Sequence, residues 1–409
     1  MTKHKPCDFL REDGMCRLAD CKPDNCKKYP YTDQPERLLS LLGMLDIITV
    51  CPVAFEIFEQ LKKNTDLGGI NFMRKEAALE EWEKLYETAT RIKAGKPWDK
   101  FWDMDIIGIT RGNEEDTVFF SILGRGGDCY GVSVYEGFEG LNTFLMLVMQ
   151  ESMNLSSEYA MYHQKCLSCY WGNREELSNA QRKTIKDLGY KYRGKNQWLY
   201  FMSFEPGYYP YNLDKNEVLR MSKHMHDLEL ALTYYEENGL SINFENGNMF
   251  HVILDDKDNV VRGREEPLPF VMFQFGSLYL DDEELLSELK NVPQCGAVLE
   301  ADVSAPGMPV ADKKYDRPAN MALALLGDAD SGMMLKFEMV HPDEDGVVML
   351  AEILIGFIFQ FGAPQEVRVS NVVIEAGLSQ ICDVCGIKLR PVKRLRGLDE
   401  FVEGLYRFS

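Results

Sequence analysis

From Gln294 to Ser409 the hydrophobic pattern changes period several times, and that alternation limits what the stretch can fold into. Gly296–Val303 reads as a strand, and Met321–Leu326 and Met333–Val340 read as a hairpin turning at Asp328-Ala-Asp-Ser-Gly332. A long apolar run, Val347–Phe361, is too long for a strand and ends at Gly362-Ala-Pro364. A short strand (Glu366–Val369), a helix from Asn371 and the run Gly386-Ile-Lys-Leu-Arg-Pro391 complete the order. Period two marks strands, period 3.6 marks helices, and their alternation packs helices against a sheet. An α/β domain is expected over residues 293–409.

With 409 residues, the chain exceeds what one core of roughly 250–300 residues accommodates, so further domains are expected upstream. Residues 76–236 read as an α+β domain. It has an amphipathic helix (Glu76–Ala94) and a meander of Asp105–Thr110, Thr117–Leu123 and Tyr130–Tyr135. Strands follow at Cys166–Trp171 and Trp198–Phe204, and a helix opens with the capping-box sequence Asp214-Lys-Asn-Glu217. Residues 237–292 read as a connecting hairpin (Met249–Leu254, Asn259–Arg264) and an acidic helix (Asp281–Lys290). Residues 36–75 form a helical linker, and residues 1–35 are a Cys-rich segment too small to bury a core.

The formal net charge of −20 argues against a general nucleic-acid or anionic-membrane surface, which needs clustered Lys and Arg. Lys388, Arg390, Lys393, Arg394 and Arg396 form the only dense basic run near the C-terminus, read as a solvated strand-to-helix connection. The N-terminus has no apolar signal core, and Val347–Phe361 falls short of the about 20 residues that span a bilayer. A cytoplasmic protein with a protein partner is the expectation.

Cys7, Cys16, Cys21 and Cys26 are spaced C-x8-C-x4-C-x4-C on a coreless segment. Four thiolates suit tetrahedral zinc, and a closed site of this kind is structural, since the metal supplies folding energy that burial cannot. The pairs Cys166/Cys169 and Cys382/Cys385 read instead as core thiols, the first in a strand and the second at a helix C-terminus, the wrong pole for a thiolate. No HExxH, nucleotide-binding glycine loop or GxSxG elbow occurs. Aromatic loops at Pro97–Trp102, Tyr135–Gly140 and Phe204–Tyr211 suit a pocket, an interface or the cap of a sheet edge.

The order of elements from Gln294 onward resembles the ribonuclease-H-like core of integrases and transposases, where "G-x-P, strand, Asp-Asn, helix, G-I" is a familiar run. From about Glu76 the chain also resembles an uncharacterised bacterial two-domain family, a domain of unknown function, carrying "PW", "VYEG" and "PGYxPY" motifs. The resemblance implies two divalent metals held by an Asp on the first strand, an Asp ending the fourth and a Glu or Asp on a later helix. Asp302 matches the first position, but Ser370 of Val369-Ser370-Asn371 stands at the second. Glu403 or Glu400 fits the third, and Glu300 shares the face of Asp302. The domain carries eleven Lys and Arg against seventeen Asp and Glu, which does not favour a grip on DNA.

These features lead to a non-catalytic binding or regulatory protein with a degenerate ribonuclease-H-like domain. One alternative is a metal-dependent nuclease or hydrolase using Asp302, Glu300 and Glu403. Another is a small-molecule sensor with an apolar cavity under Tyr208–Tyr211.

Overall fold

Strand-forming runs separated by glycine turns pair with their nearest neighbours first, and this builds most of the first sheet. β1 (Ile107–Arg111), β2 (Val118–Leu123) and β3 (Gly131–Glu136) form the expected meander, and β4 (Cys166–Gly172) and β5 (Trp198–Phe204) extend it antiparallel. The computed structural model describes residues 74–155, 157–269, 278–305 and 309–406. The four N-terminal cysteines and residues 36–73 of the helical linker lie outside the described residues.

One expectation is corrected at this point. The hairpin of β6 (Asn248–Leu254) and β7 (Val260–Pro267) is not a connection between domains. β6 lies parallel to β1, and the pair completes a seven-stranded sheet in the order β5-β4-β3-β2-β1-β6-β7. The alternation along β6 buries Phe250 and Val252 on one face with Ile107 and Ile109, so the strand has core to cover that a connector lacks. The parallel step needs a long crossover, which the intervening helices supply.

Both sheet faces are covered. One packs on α1 (Leu79–Ala94), α4 (Asn179–Asp187) and α5 (Lys215–Glu237), through Leu85, Tyr86, Ile185, Val218 and Met225. The other packs on α2 (Gly137–Met149), through Leu141 and Phe144 against Phe119 and Tyr135. α3 (Ser157–Tyr162) follows α2. The capping box at α5 forms as expected, the Asp214 side chain accepting the Glu217 N–H and the Glu217 side chain accepting that of Asp214.

The second domain begins with α6 (Glu283–Lys290). Its main sheet runs β12-β11-β8-β13-β14, comprising β8 (Val298–Ser304), β11 (Ala322–Asp328), β12 (Met334–Val340), β13 (Glu366–Val369) and β14 (Lys388–Pro391). β8, β11 and β12 pair antiparallel, whereas β13 lies parallel to both β8 and β14. The short strands β9 (Pro309–Val310) and β10 (Ala319–Asn320) form a separate ladder. The crossovers are the apolar α7 (Gly346–Phe361) and α8 (Val372–Cys385), buried with α6 on one face through Leu289, Leu354, Ile358 and Leu378. α9 (Arg396–Tyr406) covers the other face through Leu398, against Leu323 and Leu325. Among the described residues, no helix is long and apolar enough to cross a membrane.

Candidate functional site

In a mixed sheet of this kind, ligands collect beyond the carboxyl ends of the parallel strands, where neighbouring crossovers diverge. Here those ends are Asp302–Ser304 on β8 and Val369–Ser370 on β13, and a cavity of about 370 Å³ opens there. α9 supplies Asp399 and Glu403 to its wall, and the first domain supplies Asn154 and Tyr159.

The polar groups at its centre form a directed chain. The Ser370 hydroxyl donates to Asp302 Oδ1 at 2.8 Å and accepts from Asn371 Nδ2 at 3.0 Å. Asn371 is held by its own N-cap duty, its Oδ1 accepting the N–H groups of Val373 and Ile374. The O–H of Ser370 and one of its two lone pairs are therefore used inside the protein. Burial pushes Asp302 up to about 7; the hydroxyl of Ser370 and the Val303 N–H act against that rise, and nearby Asp399 adds to it. Asp399 is also raised, by burial and by Glu403.

Asp302 and Glu403 thus face one cavity, but Glu300 does not join them. Its Oε2 accepts the N–H groups of Gly397 at 2.8 Å and Leu398 at 3.2 Å, capping the start of α9. The period-two reasoning placed it on the correct face; the demand of a helix N-terminus for acceptors takes its carboxylate. Among the described residues, no group of three or more His, Cys, Asp or Glu side chains is placed to hold a metal ion. A two-metal centre of the transposase kind does not fit these residues. Beside Asp302, Ser370 presents a neutral hydroxyl that donates to the carboxylate and accepts from Asn371.

What the sequence reading missed is that the first domain forms part of this site. The Asn154 side chain donates to the Ser370 backbone carbonyl, and Met153 and Leu155 pack with Val372 and Val373. On the other side of the cleft, the loop Pro206–Tyr211 reaches the second domain. The Tyr209 N–H donates to Pro318 O and the Asn320 N–H to Gly207 O, both at 2.9 Å. Gly207 has φ of +79°, and a Cβ there would stand 2.9 Å from Pro342 Cα, so glycine is required. Below the loop, buried Arg317 donates to Glu217 at 3.0 Å and to Ser203 at 2.8 Å, and Arg74 donates to the second oxygen of Glu217 at 3.0 Å.

Residues 82–252 match the family model described as Domain of unknown function (DUF7309), and residues 285–406 match Domain of unknown function (DUF6930). The chain carries two domains of unknown function. The first match extends into β6 as far as Val252, in keeping with the place of that strand in the first sheet. No curated protein matches the chain. A chain of the solved simian T-cell lymphotropic virus intasome in complex with PP2A regulatory subunit B56 gamma aligns at 16% identity with a TM-score of 0.19. That alignment covers 27% of this chain and 41% of that one, and at this score it carries no argument.

The other candidate residues sit as follows. Cys166 and Cys169 are buried in β4 and Cys382 and Cys385 at the end of α8, all with thiols pushed up by burial. Tyr208 and Tyr209 lie at the seam between the two domains, against Tyr315 and Tyr162. Tyr211 lines a cleft of about 550 Å³ with Trp82 and Tyr86.

Proposed function

We propose that the protein is a non-catalytic binding or regulatory protein of the cytoplasm. In this reading its DUF6930 domain is a degenerate ribonuclease-H-like fold. Support for the fold comes from the strand order β12-β11-β8-β13-β14, with three antiparallel strands followed by two parallel ones. The observation that carries the loss of catalysis is the chain from Asn371 through Ser370 to Asp302, in which a neutral hydroxyl, hydrogen-bonded to both neighbours, stands where a bridging metal would require a second carboxylate. The acidic surface and the cleft walled by both domains favour a protein partner or a small ligand over nucleic acid.

The test is incubation of the purified full chain with single- and double-stranded DNA and RNA in Mg²⁺ or Mn²⁺. No cleavage is expected. Cleavage that disappears in Asp302→Asn would overturn the reading and restore the hydrolase alternative.

We further propose that Cys7, Cys16, Cys21 and Cys26 hold one structural zinc, a reading supported by their spacing alone. Metal analysis of the purified chain is expected to find about one zinc per chain, lost on Cys16→Ser. Metal-free protein would remove this part of the proposal and leave the rest standing.

A further inference from the structure

Beside the Asp302 cavity, and sharing Tyr159, Val303 and Ala305 with it, lies a second compartment of about 520 Å³. It is walled by α3 and the Pro206–Gly207 turn of the first domain and by Asn320, His341 and the start of α7 from the second. Its volume lies in the range of sites that hold small organic ligands.

The groups it presents share one property. Asn320 is 4% exposed, and its Oδ1 is buried with no hydrogen-bond partner. A buried acceptor left unpaired costs about 1–3 kcal/mol, so such an atom marks a place where a donor belongs. His163 Nδ1 lies 2.8 Å from the Tyr159 carbonyl, which can only accept, so the ring's proton sits on Nδ1 and Nε2 is left as an acceptor. Burial lowers the pKa of that imidazole and so favours its neutral form. Asp345 contributes a carboxylate; its Oδ1 caps α7 through the Val347 and Val348 N–H groups. Asp343 and Glu344 line the same rim. Tyr159 stacks on His163 with ring centroids 3.9 Å apart and lies within the electrostatic reach of both Asp345 and Asp302.

We propose that this interdomain compartment binds an alkylammonium group, with Asn320 Oδ1 and His163 Nε2 accepting its N–H bonds and Asp345 balancing its charge. An ammonium supplies three donors and no acceptor, the complement of what these residues present. The acidic rim opposes an anion. The inference rests on the proposed function only in treating the cleft as a place of binding. The ammonium belongs either to a free amine or to a lysine side chain of a protein.

Calorimetric titration of the full chain separates these sources, with 1,4-diaminobutane in one arm and Nα-acetyl-lysine methylamide in the other. Saturable one-site binding is expected in at least one arm. The arm with the lower Kd identifies the source, and 1,4-butanediol and butyrate should give no heat. Asn320→Leu removes the acceptor at similar volume, and Asp345→Asn keeps the helix cap while removing the charge. Each should weaken binding at least about tenfold, a loss of 1.4 kcal/mol, with folding checked by circular dichroism. No saturable binding by either amine, or full binding by both folded variants, would overturn the proposal. Neither result bears on nuclease activity, so this inference and the proposed function fail separately.

Discussion

Replacing Asp302 with asparagine removes a charge while keeping the shape, and so measures what holding that carboxyl in the cleft costs. Burial, only partly offset by Ser370 and the Val303 N–H, raises it from 3.8 to about 7. A carboxyl raised in this way binds its proton more tightly in the folded chain than in the unfolded one. Wild-type stability then falls as pH climbs between about 4 and 7 and stays at the lower level above that window. A rise of about three units at 1.36 kcal/mol each gives on the order of 4 kcal/mol. Residual solvent contact at Asp302 brings the expected gap to about 2–4 kcal/mol. The asparagine amide oxygen still accepts the Ser370 hydroxyl, so the variant loses the titration and keeps the hydrogen bond. Urea unfolding should find Asp302→Asn more stable than wild type by about that amount at pH 8, and by only about 1 kcal/mol at pH 4.5. A variant less stable at pH 8, or a gap that does not change with pH, would refute the reasoning. A less stable variant would mean that the charged carboxylate is held by a partner at this site.

The remaining predictions concern the seam between domains and the buried thiols. Arg317→Met leaves Glu217 with Arg74, Ser203 and the Asp214 N–H, and should cost about 3 kcal/mol in urea unfolding, the lower end for breaking a buried ion pair. Burial pushes Glu217 up, but Arg317, the Asp214 N–H, Ser203 and Arg74 outweigh it and hold it below 4.5. Its contribution is present above that pH and is lost as pH falls through the lowered value, so Arg317→Met should narrow the acid-side loss. Gly207→Ala forces a side chain against Pro342 at positive φ and should cost about 1–3 kcal/mol, with faster limited proteolysis at the seam. Cys382, pushed up to about 12 by burial, and Cys385 should resist alkylation at pH 8 until the chain unfolds; rapid modification of native protein would show the end of α8 to be open.

Local signals carried most of the fold. The capping box at Asp214, the stop at Gly362 and the hairpin turns each depend on a few consecutive residues, and each forms where the sequence reading placed it. The β6–β7 hairpin was visible as a hairpin but misplaced as a connector. Its partner, β1, lies well over a hundred residues away, and a parallel pairing at that separation leaves no local mark. The same limit hid the Arg74–Glu217–Arg317 cluster. Glu217 looked like an ordinary capping residue, and nothing in its neighbourhood announces two arginines from distant segments.

At the site, residue types were legible and their directions were not. The order of elements set Ser370 apart as a neutral residue beside Asp302, and the two side chains do meet. How that serine is held depended on Asn371, whose amide caps α8 with its oxygen and donates to Ser370 with its nitrogen. Glu300 was on the face expected of it but was claimed by the amides of α9, a demand set by where that helix begins. Asn320 had no motif to recommend it. Its importance comes from the seam, where the Gly207 carbonyl accepts its backbone N–H and holds it in β10 while its side-chain oxygen is left without a donor. A catalytic centre is identified by the groups it brings together. A binding site built between two domains is identified by the groups that folding leaves unpaired, and those can be found only once both domains are in place.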